Sequence, residues 1–392
     1  LGIIAGIIDQ LGLEEQVNIC LGRHPQQIVS SGQGVKAMIL NGLGFVSAPL
    51  YLYEEFFLGK ATSHLLGKGI EPGHLNDDYL GRLLDKIWAY GPSQLFSLIA
   101  IVAYRQFGLD VYRYHLDSSS MSVHGAYEAA GESEGSIAIT HGYSKDHRPD
   151  LKQFVIEMIC CNDGEVPLAF EVSSGNQSDK AVFAQRLEAF AQQWHVDGML
   201  VADSALYSAE NLAVMGTLRW LTRVPLTLSA AQKLVTEIPS EAFVDSERAG
   251  YRLSSTCSTY GEVKQLWVVV ENTARVDSDC QQIDKQVEKQ GKQAEKDFRA
   301  QCQIDFSCGQ DALSQAESLV DNWRYHTLSG LEVAQHPHYR QSGRPKKGAA
   351  PTHFSYRVTG TVVANPTAIE QAKRKAGRFI LATNALEDEN TP

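Results

Sequence analysis

The apolar residues change their spacing near residue 110, and one kind of layer cannot absorb both patterns. Up to about Leu109 they recur every three to four positions, as in Leu80, Leu83, Leu84 and Ile87, the period of a helix with one buried face. From Val111 the texture alternates, with Tyr112, Tyr114 and Leu116 ahead of Asp117, the period of a strand. The chain is therefore read as an all-α region over residues 1–110 followed by a domain containing a sheet.

Local signals place the elements. Asn76 before Asp77 and Asp78 makes an N-cap with acids in the first turn, so a helix should run to Tyr90, ahead of Gly91-Pro92. A second helix is expected from Ser93 to Phe107. The two could form a helix-turn-helix for DNA or a packed αα-hairpin. Strands are expected at Ser136–Thr140, Gln153–Cys161 and Pro167–Val172, with Asn162-Asp163-Gly164 turning the last two into a hairpin. A helix over Asp179–Trp194, the apolar run Gly198–Ala202, a helix over Ser208–Met215 and a strand at Arg219–Arg223 follow. A meander followed by alternating helices and strands gives an α/β class with a mixed sheet over residues 111–224.

From about Pro225 the alternation stops. Leu266–Val270 reads as a strand, while Ser278–Cys302 is charged and glutamine-rich with weak heptad spacing. Residues 225–360 are read as an α+β insertion. Residues 361–392 are read as a return to the core, through the strand Arg378–Thr383.

The 392 residues, 43% of them hydrophobic, suffice for two modest cores. No run of 18 apolar residues marks a membrane span. Seven scattered cysteines without a Cys-x-x-Cys pair argue against a disulfide framework and a zinc site, which fits a reducing cytoplasm. The chain starts at Leu1 without a methionine or a secretory leader, so a fragment of a longer reading frame is expected.

A net charge of −11 argues, as a sum, against nucleic acid. Its distribution argues the other way: between His336 and Ile380 nine basic residues, among them Arg344, Lys346, Lys347, Lys373, Arg374 and Lys375, face one acid, Glu370. This is either a solvated surface or a phosphate-binding segment, and the glycines and proline around Arg344–Lys347 make that part an exposed loop.

Two aspartates follow apolar runs and precede small polar residues: Asp117 before Ser118-Ser119-Ser120, and Asp203 before Ser204-Ala205. They could cap the turns after their strands. They could equally be carboxylates from different strands converging on metal ions, as two-metal chemistry at a phosphodiester demands. His115, His124 and His141 read as strand histidines rather than ligands.

Around these aspartates, His115–Gly125, Gly142–Gln153 and Val201-Ala202-Asp203-Ser204, with the late Ala376–Asn384, resemble segments of bacterial insertion-sequence transposases with a DDE catalytic core. The resemblance runs from the helical region to about residue 384. It implies a ribonuclease-H-like core with Asp117 and Asp203 as the first two catalytic and metal-binding acids, two Mg²⁺ or Mn²⁺ ions in the complete enzyme, and a mostly β insertion. It makes Lys145, His147, Arg148 and Lys152 candidates for DNA phosphate contacts, against a structural role in pairs with Asp146 and Asp150. The third acid should be a glutamate, in a motif with tyrosine, arginine and lysine, on a helix after Phe379–Thr383. No such motif occurs, and Glu387 and Glu389 lack its spacing. The chain is therefore expected to be truncated before its third ligand and inactive in strand transfer.

The partners implied are DNA, as an element's terminal inverted repeats and a target, and a second copy of the chain on that DNA. No membrane is implied. The compartment expected is a bacterial cytoplasm, at the nucleoid when bound. Two other functions stay open: a ribonuclease-H-like nuclease without strand transfer, and a catalytically dead fragment that still binds DNA.

Overall fold

Residues 1–43, 48–128, 136–340 and 350–386 are described by a computed structural model, residues 179–181 by backbone alone. The protein is mixed α/β and divides into two compact units, Leu1–Thr222 with Tyr260–Val263, and Arg223–Thr259 with Lys264–Pro392.

The first unit opens with helices: α1 (Gly2–Gln10), α2 (Leu13–Leu21), α3 (Ser31–Gly42), α4 (Tyr53–Phe57), α5 (Thr62–Leu66), α6 (Asp77–Tyr90) and α7 (Pro92–Phe107). Their apolar faces meet around Leu40, Phe57, Leu66, Leu75 and Leu80, all fully buried. Ser30 and Gln33 form a reciprocal capping box at α3, which satisfies two backbone donors that the first turn leaves open. Lys36 is only 3% exposed and is neutralised by Asp9 and by Glu14 at 2.9 Å, as a buried ammonium must be.

Asn76 caps α6 as its sequence indicates, accepting from the Tyr79 amide at 2.9 Å. The chain then turns by 85° into α7 at Gly91, whose φ of +100° a side chain would resist. α7 covers the sheet that follows, where Phe96 meets Phe170 edge-on at 4.9 Å, and also touches the later helix Asp179–Trp194, where Tyr104 meets Trp194 at 6.2 Å.

That sheet carries β1 (Arg113–Val123), β2 (Lys152–Cys161), β3 (Pro167–Ser174), β4 (Met199–Ala202) and β5 (Trp220–Val224), with α8 (Asp179–Trp194) and α9 (Ala209–Met215) between the later strands. The order is β3-β2-β1-β4-β5. β1–β2 and β2–β3 are antiparallel, while β1–β4 and β4–β5 are parallel. The parallel pairs need helical crossovers and the antiparallel ones only turns, so this mixture follows from the element order.

The structure corrects two expectations here. Ser136–Thr140 is no strand, and only Thr140 makes an isolated bridge, to Gln153. β1 fills one edge of β2, and β3 fills the other from Phe154 to Cys160, which leaves only the first residues of β2 open to Thr140. Asp117 does not end β1: it is the fifth residue of an eleven-residue strand that continues through the three serines to Val123, held by its antiparallel partner β2.

In the second unit, α10 (Ser229–Glu237) precedes β6 (Val244–Asp245), β7 (Tyr251–Tyr260) and β8 (Val263–Asn272). Then come α11 (Thr273–Gln301), α12 (Gly309–Asp321), the hairpin β9 (His326–His338) and β10 (His353–Ala364), α13 (Pro366–Arg374) and β11 (Arg378–Thr383). The order β11-β8-β7-β6 is sealed by an antiparallel β11–β8 pair. The weak heptads of Ser278–Cys302 belong to a single 29-residue helix, α11, so this region is as helical as it is β. Its second core gathers Phe298, Ala312, Ala316 and Val358. No single described helix is long and apolar enough to cross a membrane.

Candidate active site

β1 and β4 run parallel and in register, with His115 opposite Val201 and Leu116 opposite Ala202. The next residue on each side is an aspartate, so Asp117, inside β1, and Asp203, just past β4, stand at the same level of adjacent strands. Alternation along β1 buries Tyr114, Leu116, Ser118 and Ser120 and exposes His115, Asp117 and Ser119. The Asp117 side chain is 80% exposed, and Asp203 is exposed as well.

Each carboxylate has one oxygen fixed by backbone. Asp117 Oδ1 accepts from the Ser118 amide at 2.8 Å. Asp203 Oδ1 accepts from the Ala205 amide at 2.8 Å, capping the 3-10 turn Ser204–Leu206. Its main chain is held from β5, where buried Thr222 donates its hydroxyl to the Asp203 carbonyl at 2.6 Å. Sequence reading passed over Thr222, although a lone hydroxyl in the run Trp220-Leu221-Thr222 is a visible signal.

Lys145 stands beside Asp117. Its ammonium lies 3.8 Å from Asp117 Oδ1 and donates to the Ser118 carbonyl and, at 2.8 Å, to Ser118 Oγ. It also lines a cleft of about 670 Å³ with Asp203, Ser118, Ser120, Tyr143, Gln153 and Asn176. Gln153, fully buried, donates its amide nitrogen to the carbonyls of Tyr143 (3.1 Å) and Gly175 (2.7 Å). That clamp positions the Tyr143–Lys145 segment beside the strands. A Cβ at Gly142 would overlap the Gly175 carbonyl, and one at Gly175 the Gln153 carbonyl, so both positions exclude side chains.

The other cations named from sequence lie elsewhere or are engaged. Arg148 forms a bidentate pair with Asp150, at 2.9 and 2.8 Å, and the hydrogen bonds from its guanidinium hold the Asp150 carboxyl at about 2. Lys152 donates to the Ala126 carbonyl. His147 is exposed in a left-handed turn with φ +57°. In the second unit Lys373 pairs with Asp284 at 2.6 Å, Arg374 pairs with Glu370 at 2.8 Å, and Lys375 is half-buried. Arg344, Lys346, Lys347, Glu387 and Glu389 lie outside the described residues. Among the described residues no three His, Cys, Asp or Glu side chains gather as a metal-binding group. His115 shares the exposed face of Asp117, and partial desolvation of its ring by neighbouring groups, then the Arg113 charge, hold its pKa below the usual imidazole range.

Residues 1–101 match the family model described as a domain of unknown function, DUF4277. No curated protein matches the chain. Among solved structures, a piggyBac transposase synaptic complex with hairpin DNA, seen by cryo-EM, aligns with a TM-score of 0.34 and 10% sequence identity. The alignment covers 68% of this chain and 57% of that one, less than two thirds of its length.

Proposed function

We propose that this chain is a DNA transposase of the DDE type, acting through Asp117 and Asp203 at the ends of a mobile element. The observation that carries the reading is the β1–β4 register, which sets two exposed carboxylates at one level of adjacent strands, with Asp203 and the Asp117 neighbour Lys145 lining a polar cleft. The strand order β3-β2-β1-β4-β5, with β2 antiparallel, supports a ribonuclease-H-like core. The N-terminal match, to a domain family typical of transposases, points the same way.

The two carboxylates are hard oxygen donors of the kind Mg²⁺ and Mn²⁺ prefer. They fit as the shared pair of such a site, with no third ligand assigned to a residue. When bound, such ions stabilise charge on the attacking and leaving oxygens of a phosphodiester. The protein's own contribution is positioning: Ser118 and Ala205 amides orient the carboxylates, Thr222 fixes the Asp203 backbone, and Lys145 offers a cation to a phosphate.

The test is incubation of the chain with Mn²⁺ or Mg²⁺ and DNA carrying both flanks of its own gene, followed by analysis of joined and nicked products. Joined product that Asp203→Asn abolishes supports the transposase. Nicking alone identifies a nuclease on the same scaffold. DNA binding without either, in both metals, identifies a catalytically dead DNA-binding fragment, the reading favoured by the lack of a three-ligand group among the described residues.

A further inference from the structure

α11 separates its charges by face. At roughly 100° per residue, Ala274, Ser278, Gln281, Lys285, Lys289, Lys292, Lys296 and Arg299 fall within an arc of about 80°. Five of these eight positions are cationic and none is acidic, in a chain whose 46 acids outnumber its 35 Lys and Arg. All five cations are exposed. The opposite face holds Ala294 and Phe298, the buried residues that seat the helix on its core, so the cations point away from the protein. The helix's acids, Asp277, Asp284, Glu288 and Glu295 on one flank and Asp279 and Asp297 on the other, lie off the stripe. Glu288 reaches Lys292 at 2.6 Å, an exposed pair that a stronger anion displaces at little cost.

We infer that this stripe is a docking surface for the phosphate backbone of duplex DNA. From Lys285 to Arg299 it runs roughly 21 Å, a straight row with a positive charge about every 5 Å, which suits a regular polyanion. Spacing by threes and fours keeps every charge on one line, as contact with a rod-like duplex requires, and the absence of apolar residues among the cations excludes insertion into lipid. The surface reads no base sequence, since lysine contacts to phosphate position a protein without specifying a site. The inference rests on the transposase reading only in choosing DNA among polyanions.

The experiment is fluorescence anisotropy of a random-sequence duplex with the full chain across about 50 to 200 mM KCl, beside vesicles containing phosphatidylserine. The variant carries Lys285→Gln, Lys289→Gln, Lys292→Gln and Lys296→Gln, and a control carries the same charge loss at Lys68, Lys86, Lys233 and Lys264. The stripe variant should bind at least about tenfold more weakly at low salt, with a log–log salt slope shallower by about 3 to 4. The control should stay near the parent, and circular dichroism should report the helix intact. Equal losses in both variants, an unchanged slope in the stripe variant, or binding to vesicles in preference to DNA would overturn the inference. A parent chain that binds DNA while the stripe variant binds equally well removes the stripe and leaves the transposase reading standing. A parent that binds no DNA removes both.

Discussion

Leu116 and Ala202 are paired across two parallel strands, and the residue after each is an aspartate. The sheet thus brings together two carboxylates that are 86 positions apart in the chain, and it does so through backbone hydrogen bonds, which tolerate no slip without turning every side chain to the other face.

Asp117→Asn and Asp203→Asn should each lower metal-dependent DNA cleavage by at least about 10²-fold and leave thermal unfolding near the parent. Both side chains are exposed, and asparagine keeps the oxygen that accepts from Ser118 or Ala205. Asp203→Ala should in addition cost about 1 kcal/mol by losing its cap. Cleavage kinetics beside thermal melts check this.

Thr222→Val keeps the shape of β5 and removes the hydroxyl on the Asp203 carbonyl. The expected stability loss is about 0.5–1.5 kcal/mol, with a fall in turnover and little change in DNA affinity, because the residue holds the Asp203 backbone and faces no substrate. Urea melts and single-turnover rates separate the two effects.

Arg378 and Glu271, 7% and 10% exposed, meet at 2.9 Å, and Arg252 holds the other Glu271 oxygen at 3.0 Å. Arg378 also donates to the carbonyls of Val235 and Ile238. Arg378→Ala leaves a carboxylate buried with one partner fewer and should destabilise the second unit by about 3–5 kcal/mol. Denaturant unfolding followed by hydrogen exchange of the β8 and β11 amides reads it.

Gly175→Ala forces a Cβ onto the Gln153 carbonyl. Backbone on both sides leaves no room for relief, so a loss of about 1–3 kcal/mol or more is expected, with the Tyr143–Lys145 segment displaced. Hydrogen exchange at the Lys145 amide, which donates to Ser120 Oγ at 3.1 Å, reports the displacement.

The Asp150 carboxyl, held at about 2 by the Arg148 guanidinium against its ordinary 3.8, makes a pH prediction. A depressed carboxylate contributes stability that is present above its unfolded pKa and is lost as pH falls through the folded one, here from about 4 down to 2. Arg148→Ala should return the Asp150 titration, followed by carboxyl NMR, towards 3.8.

Much of the fold was legible where a signal is local. The cap at Asn76, the hairpin turn at Asn162-Asp163-Gly164 and the boundaries of α6, α8 and β11 need only neighbours within a few residues to be read, and they stand where the sequence indicates. The candidate acids were legible as aspartates after apolar runs. The extension of β1 through Ser118-Ser119-Ser120 was not, because serines carry no apolar alternation and their burial is imposed by β2. The failure of Ser136–Thr140 as a strand was equally invisible, since it depends on how much of the second edge of β2 is filled by β3. The sequence by itself determined the periods, the caps and which aspartates are candidates. Only the tertiary structure decided that Asp117 and Asp203 share one level, that Arg148 belongs to Asp150 while Lys145 stays beside Asp117, and that Thr222 holds the second acid's backbone. Register and partner choice are properties of distant segments meeting, and no local pattern encodes them.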